Sequence, residues 1–222
     1  MHIVNGDWQK QGLRYNPFHT IVSPRPIGWT STVNTSGKPN LAPFAYFNAV
    51  NTEPEQVMLG ISNRGHAHKN DYGFELNSPK DTLQNIIDTR EFVINIVTDD
   101  LAEAMNKTSH NFTPGVDEFE QAGITPEKSH LVSPPRVKET PIALECRLWR
   151  SIELPKSKDV TTTMIIGTVV STYINDDLIA EGALDVTKIT TIGRLGSRYY
   201  CRVNKESIFQ MTRPDNYTKG SW

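Results

Sequence analysis

Residues 24–48 read PRPIGWTSTVNTSGKPNLAPFAYFN, two extended segments joined by a short polar turn. β-Branched and aromatic residues crowd together over 27–33, and Asn34-Thr35-Ser36-Gly37 supplies the small polar residues of a tight turn. A hairpin follows, with a return strand over about 40–50. A third strand over 56–62 (QVMLGIS) is bounded by Glu53-Pro54 and by Asn63-Arg64-Gly65.

Working outward, Ser78-Pro79-Lys80-Asp81-Thr82 reads as a helix opening. Ser78 can cap it, Pro79 suits its first turn, and Asp81 stands where a shortened capping-box partner would. Leu83, Ile86 and Ile87 form its buried stripe. FVINIV over 92–97 is a buried strand, and 101–107 a short helix with Leu101, Ala104 and Met105 on one face. Over 142–152, Leu144, Cys146, Leu148 and Ile152 alternate with Glu145, Arg147 and Ser151 to give a strand with one wet face, whereas 161–173 is apolar on both sides, with its second face set to meet another subunit. Between these two, 154–159 is an exposed hairpin loop, and 199–203 is a last short strand. Many strands and few short helices predict a mainly β chain forming a closed or partly closed antiparallel barrel. The whole of 1–222 forms one domain, its core spanning about 20–203 and its polar arm 204–222.

Charge narrows the function. A formal net charge of −2 leaves no basic excess for a nucleic-acid backbone or an anionic lipid surface, so neither nucleic acid nor membrane is expected as a partner. The first residues, MHIVNGDWQKQG, lack the charged start and apolar run of a secretory signal, and no stretch is long and apolar enough to span a bilayer. A cytoplasmic protein is expected. Cys146 and Cys201 form no CxxC pair and read as buried, reduced thiols. His66 and His68 lack a third ligand at a recognised spacing, so no metal site is expected.

A helix start presents unpaired N–H groups and a favourable dipole to a phosphate, and Lys80 and Thr82 add an ammonium and a hydroxyl there. The same residues also fit a capped surface helix with a solvated lysine. Thr30, Ser31 and Thr32 fit either ordinary strand positions or the lining of a ligand, and Trp29 and Phe47 either core or the flanks of a planar ring. Asn48 carries a donor and an acceptor on one amide, which suits a pyrimidine edge. His110 lies in a polar loop, Thr108-Ser109-His110-Asn111-Phe112, that could close over a cleft. No G-x-S-x-G elbow, GxGxxG or GxxxxGK[ST] occurs, and no catalytic acid, base or nucleophile is assigned.

Seven blocks in order carry a resemblance: PRPIGWTSTVNTSGKPNLAPFAYFNAV, KDTLQNI, EFVINIV, AEAMNKTS, FTPGVDEFEQAG, PPRVKETPIALECRL and GRLGSRYY. Together they span about 24–200, and the chain resembles the flavin reductase-like proteins with an FMN-binding split barrel, the flavoredoxin group in particular. The resemblance implies a six-stranded antiparallel Greek-key split barrel with a few short peripheral helices, forming a homodimer with FMN at or near the subunit boundary. It assigns Trp29, Thr30, Ser31 and Thr32 to the ring and ribityl chain, Phe47, Asn48 and Ala49 to the ring, and Lys80, Asp81 and Thr82 to the phosphate end. Asp81 there would cap the helix or orient Lys80, since a carboxylate repels phosphate. Ser109, His110, Arg194 and Tyr199 come from loops that approach the flavin or the neighbouring subunit. His110 replaces the small residue associated with that loop. The implied activity is electron transfer from NADH or NADPH to flavin and on to an acceptor, which could be a redox partner protein or a monooxygenase. A flavoredoxin-like carrier with tightly held FMN and a non-catalytic flavin-binding protein are the alternatives.

Overall fold

The computed structural model describes residues 1–4, 6–63, 78–113, 116–156 and 160–211. His66 and His68, the end of the 154–159 loop and the 212–222 part of the arm lie outside the described residues.

The strands are β1 (Arg25–Pro26), β2 (Gly28–Val33), β3 (Pro39–Phe44), β4 (Phe47–Thr52), β5 (Glu55–Ser62), β6 (Glu91–Ile96), β7 (Pro126–Glu127), β8 (Arg136–Val137), β9 (Ile142–Glu153), β10 (Thr162–Ile174), β11 (Ile179–Ala180), β12 (Ala183–Leu184), β13 (Thr191–Gly196) and β14 (Tyr199–Val203). The helices are α1 (Phe18–Ile21), α2 (Asp81–Thr89), α3 (Ala102–Lys107) and α4 (Glu118–Ala122). Seven strands form one antiparallel sheet in the order β3-β2-β6-β9-β10-β5-β4. β1, β13 and β14 form a second sheet.

The large sheet is a barrel split along one seam. β3 and β4 are its two edges, yet only Ala45 and Tyr46 separate them in the chain. Laid flat, seven strands would hold those edges about 29 Å apart, whereas the two-residue link spans at most about 11 Å. The sheet therefore curls until its edges meet. The six barrel strands expected become seven because the single return strand over 40–50 breaks at Ala45-Tyr46, its first half pairing with β2 and its second with β5. Pro39 and Pro43 sit in β3, an edge strand, where a missing N–H leaves no gap in a ladder.

Inside the barrel, Phe44, Phe47, Leu59, Ile61, Phe92, Ile94, Leu148 and Ile165 pack together, closed at one side by Ile86 of α2. A second cluster covers the outer face of β2 and β3: Trp29 and Leu41 meet Leu101, Met105 and Phe119 from the α3–α4 region and Ile192 from β13. This two-sided cover explains why all six residues of β2 are buried. Gly167 on β10 gives the ring of Phe92 its space, since a Cβ there would lie 2.7 Å from Cε1. β10 has one fully buried apolar side chain, Ile165, and its other apolar residues are only half-covered within one chain.

Three expectations need correction. Ile87, expected in the buried stripe of α2 with Leu83 and Ile86, is 41% exposed, and Thr82 and Asn85 share the buried face with Ile86 instead. α2 begins at Asp81, with Lys80 at the N-cap and no side-chain capping bond from it, so Ser78 and Pro79 lie before the helix. Lys80 is extended there (φ −69°, ψ 149°), so the helix starts two residues later than the Ser-Pro signature suggests. Cys201 is half-buried, unlike Cys146, because β14 is the outer strand of the smaller sheet; both thiols are free.

Candidate functional site

A cleft of about 220 Å3 opens beside β3, where α2 begins. β3 contributes Asn40, Pro43 and Phe44, α2 contributes Lys80, Asp81 and Thr82, and the 108–112 loop contributes Ser109, His110 and Phe112. A second hollow of about 230 Å3, lined also by Lys38 and Asn85, adjoins it, the two sharing Asn40, Asp81, Phe112 and Glu118.

Each wall has a local cause. Thr82 is 2 % exposed, and its Oγ1 accepts a hydrogen bond from Asn40 Nδ2 (3.0 Å), which fixes the start of α2 against β3. One turn on, Asn85 Nδ2 donates to Thr32 Oγ1 (3.0 Å) and fixes the helix against β2. The N–H groups of Thr82 and Leu83 belong to the first turn, where no intrahelical acceptor precedes them. Lys80 Nζ lies 5.6 Å from the ring centre of Phe44, over the cleft mouth. Trp29 Nε1 donates to Thr108 Oγ1 (2.9 Å), so the buried indole anchors the loop that carries Ser109 and His110. His110 stacks edge-on against Phe112, ring centres 5.0 Å apart.

Glu118 is the unexpected member. Its Oε2 accepts from Leu41 N (3.3 Å), which draws the carboxylate into the cleft wall. Burial, with Asp81 and Asp117 adding negative charge, pushes this carboxyl up to about 7.

Of the fourteen expected binding residues, Lys80, Asp81, Thr82, Ser109 and His110 come together in this cleft. Trp29, Thr30, Ser31 and Thr32 stand in the wall behind it, with their polar groups engaged: Thr30 Oγ1 donates to Gly28 O and Ser31 Oγ to Pro135 O. Phe47, Asn48 and Ala49 lie on β4, across the seam from β3. Phe47 points into the barrel, while Asn48 is exposed and its Oδ1 accepts from Ala49 N, leaving the amide N–H groups available. Asp81 occupies the first turn of α2, where a carboxylate favours the helix dipole. Arg194 and Tyr199 lie on the smaller sheet and line neither hollow. Arg194 stacks on Tyr200 and faces Arg25 across the β1–β13 pair, and Tyr199 is largely exposed.

Asn40, Phe44, Phe112 and Glu118 were not singled out from sequence. Asn40 and Glu118 reach the site only through packing of β3 against α2 and α4, and the FTPGVDEFEQAG block was the one sequence signal near Glu118. Among the described residues no group of His, Cys, Asp and Glu is placed to hold a metal, and no helix is long and apolar enough to cross a membrane.

Known proteins resemble this chain over most of its length. A protein of Aquifex aeolicus is 39% identical over 183 residues, 82% of this chain and 86% of its own. Nitrilotriacetate monooxygenase component B from Bacillus cereus superposes with a TM-score of 0.80 at 29% identity, covering 95% of this chain and 98% of that one. The 2-nitrobenzoate 2-nitroreductase of Pseudomonas fluorescens superposes with a TM-score of 0.77 at 28% identity, covering 99% and 100%. The sequence pattern of the flavin reductase like domain matches residues 21–189, which takes in the split barrel, α2 and the cleft between them. With more than half its length matched, this chain belongs to the flavin reductase-like domain family.

Proposed function

We propose that this protein is an FMN-binding oxidoreductase that takes electrons from NADH or NADPH and passes them to an acceptor, working as a homodimer. The observation that carries the reading is the cleft at the start of α2, where an ammonium, the Thr82 hydroxyl, an imidazole and first-turn N–H groups converge beside the seam of the barrel, with Ser109, whose Oγ donates to Asn106 O, at the rim. These donors fit a phosphate monoester. Lys80, Thr82, Ser109 and His110 would hold its oxygens, with Asp81 tying the helix start. Asn48 and Ala49 would meet the ring on the far side of the seam, Phe47 would reach it through its backbone because its side chain packs inside the barrel, and Trp29, Thr30, Ser31 and Thr32 would form the packed wall behind it. Arg194 and Tyr199 would serve the subunit boundary.

The chemistry that FMN supplies when bound is acceptance of a hydride from reduced nicotinamide and release of the electrons to an acceptor. The chain's own tasks are to bind, orient and leave one face open. The Asn48 amide, exposed and with its N–H groups available, can stabilise negative charge at a pyrimidine edge without any proton transfer by the protein. The family membership supports a flavin-linked activity. The likeness to a monooxygenase component B and a nitroreductase supports two kinds of acceptor, an oxygenase partner or a nitroaromatic acid.

The test is the visible spectrum of FMN-loaded protein under anaerobic conditions as each reduced nicotinamide is added. Prompt bleaching by NADH or NADPH is expected. Bound FMN that bleaches only with a partner protein present would favour an electron carrier, and stable binding without any turnover would favour a non-catalytic flavin protein.

A further inference from the structure

We propose that Glu118 sets the proton dependence of phosphate binding in this cleft: the site accepts a phosphate dianion when Glu118 is neutral and resists it when Glu118 is ionised. The inference rests on the FMN reading above and gives a role to a residue that reading leaves without one.

Geometry places the carboxyl where it must act. Glu118 lines both hollows, and the bond from Leu41 N holds one carboxylate oxygen in the shared wall. The charged and titratable groups around it come from every neighbouring element: Lys80 and Asp81 from α2, His110 from the 108–112 loop, Lys38 from the β2–β3 turn, and Asp117 from its own segment. Two carboxyls therefore border a cleft whose other features select an anion. Burial and those neighbouring carboxylates already bring Glu118 to about 7, so a proton is within reach at neutral pH. An arriving phosphate adds nearly two further negative charges, and it is relieved most simply if Glu118 keeps or takes up a proton. The neutral carboxyl also gains an O–H donor. Asp81, in the first turn of α2, has the helix dipole to favour its charge, and Glu118 is the carboxyl that yields.

FMN and riboflavin share the ring and differ in the phosphate, so paired titrations of flavin fluorescence isolate the effect. Wild type and Glu118→Gln, which keeps an acceptor for Leu41 N, are compared at about pH 5.5 and about pH 8.5, either side of the Glu118 value. The two proteins should bind FMN alike at the lower pH, and the variant about tenfold more tightly at the higher. Riboflavin affinity should not differ between them at either pH, and the imidazole of His110, present in both, cancels in the ratio. A ratio independent of pH, or an equal effect on riboflavin, would overturn the proposal. Wild type that binds riboflavin but not FMN, or neither, would overturn the FMN reading itself. Calorimetry of both proteins in buffers of different ionisation enthalpy near pH ~8, where the phosphate is already a dianion, provides a second measurement. Greater net proton uptake with FMN by wild type than by Glu118→Gln, and no such difference with riboflavin, is expected; equal uptake by the two proteins would contradict it.

Discussion

Asn40 and Asn85 each spend a buried amide on a threonine hydroxyl, one on Thr82 and one on Thr32, and so set the position of α2 to within a hydrogen bond of β2 and β3. Replacing Asn40 by Ala removes one such bond and should lower stability by about 1 kcal/mol, seen as a fall of roughly 2–4 °C in Tm for a chain of this size. Lys80 is different, because it touches the cleft mouth rather than the core. Lys80→Ala should leave stability within about 0.5 kcal/mol of wild type yet raise the FMN dissociation constant roughly tenfold, while hydride transfer in flavin-saturated protein changes little. Equal FMN affinity in the variant would remove Lys80 from the phosphate site. Glu118 has a signature of its own in the empty protein. Its folded value near 7 lies above the ordinary 4.5, so the folded state holds a proton that the unfolded chain releases across that interval. Stability should therefore fall as pH rises from 4.5 to 7, by about 1–2 kcal/mol after screening by solvent, and Glu118→Gln should flatten the slope in a pH series of thermal melts.

Among the elements, the long hairpin of β9 and β10 carries the tightest steric constraint. Gly167→Ala would drive a methyl into the Phe92 ring, with 2.7 Å to Cε1, and should cost about 1–3 kcal/mol. Adding Phe92→Leu should recover part of that loss, a coupling that a double-mutant cycle of denaturant melts would read. Most strands were legible because their alternation is set by the barrel interior. Residues 56–62, 92–97, 142–152 and 161–173 match the observed strands to within a residue at most ends. β13 was missed: Thr191–Gly196 packs its Ile192 beneath β1 and the α3–α4 region, and its sequence, with two glycines, shows too little periodicity. The break at Ala45-Tyr46 was also hidden, since the apolar run LAPFAYF over 41–47 crosses it and the strands part only because the barrel closes there. The candidate site divides in the same way. Lys80, Thr82, Ser109 and His110 were legible through local features, a helix start and a polar loop. Asn40 and Glu118 were not, being brought in across 42 and 77 residues of chain by tertiary packing.

At the scale of the whole molecule, the barrel has one weakness, the seam between β3 and β4, and the cleft sits beside it. A single chain also leaves apolar surface on the long hairpin and its flanks: Trp149 is 54% exposed, and Val50 and Val160 are exposed as well. Such surface fits burial against a second copy. Sedimentation equilibrium should therefore give twice the 25.0 kDa chain mass, and Trp149→Glu should shift the population toward monomer. The central claim is that a flavin phosphate seats at the start of α2 with its ring along the seam. A crystal structure of the protein with FMN tests this most directly. Phosphate oxygens are expected within hydrogen-bond reach of Lys80, Thr82 and the first-turn N–H groups; FMN seated elsewhere, with this cleft holding only solvent, would rule the placement out.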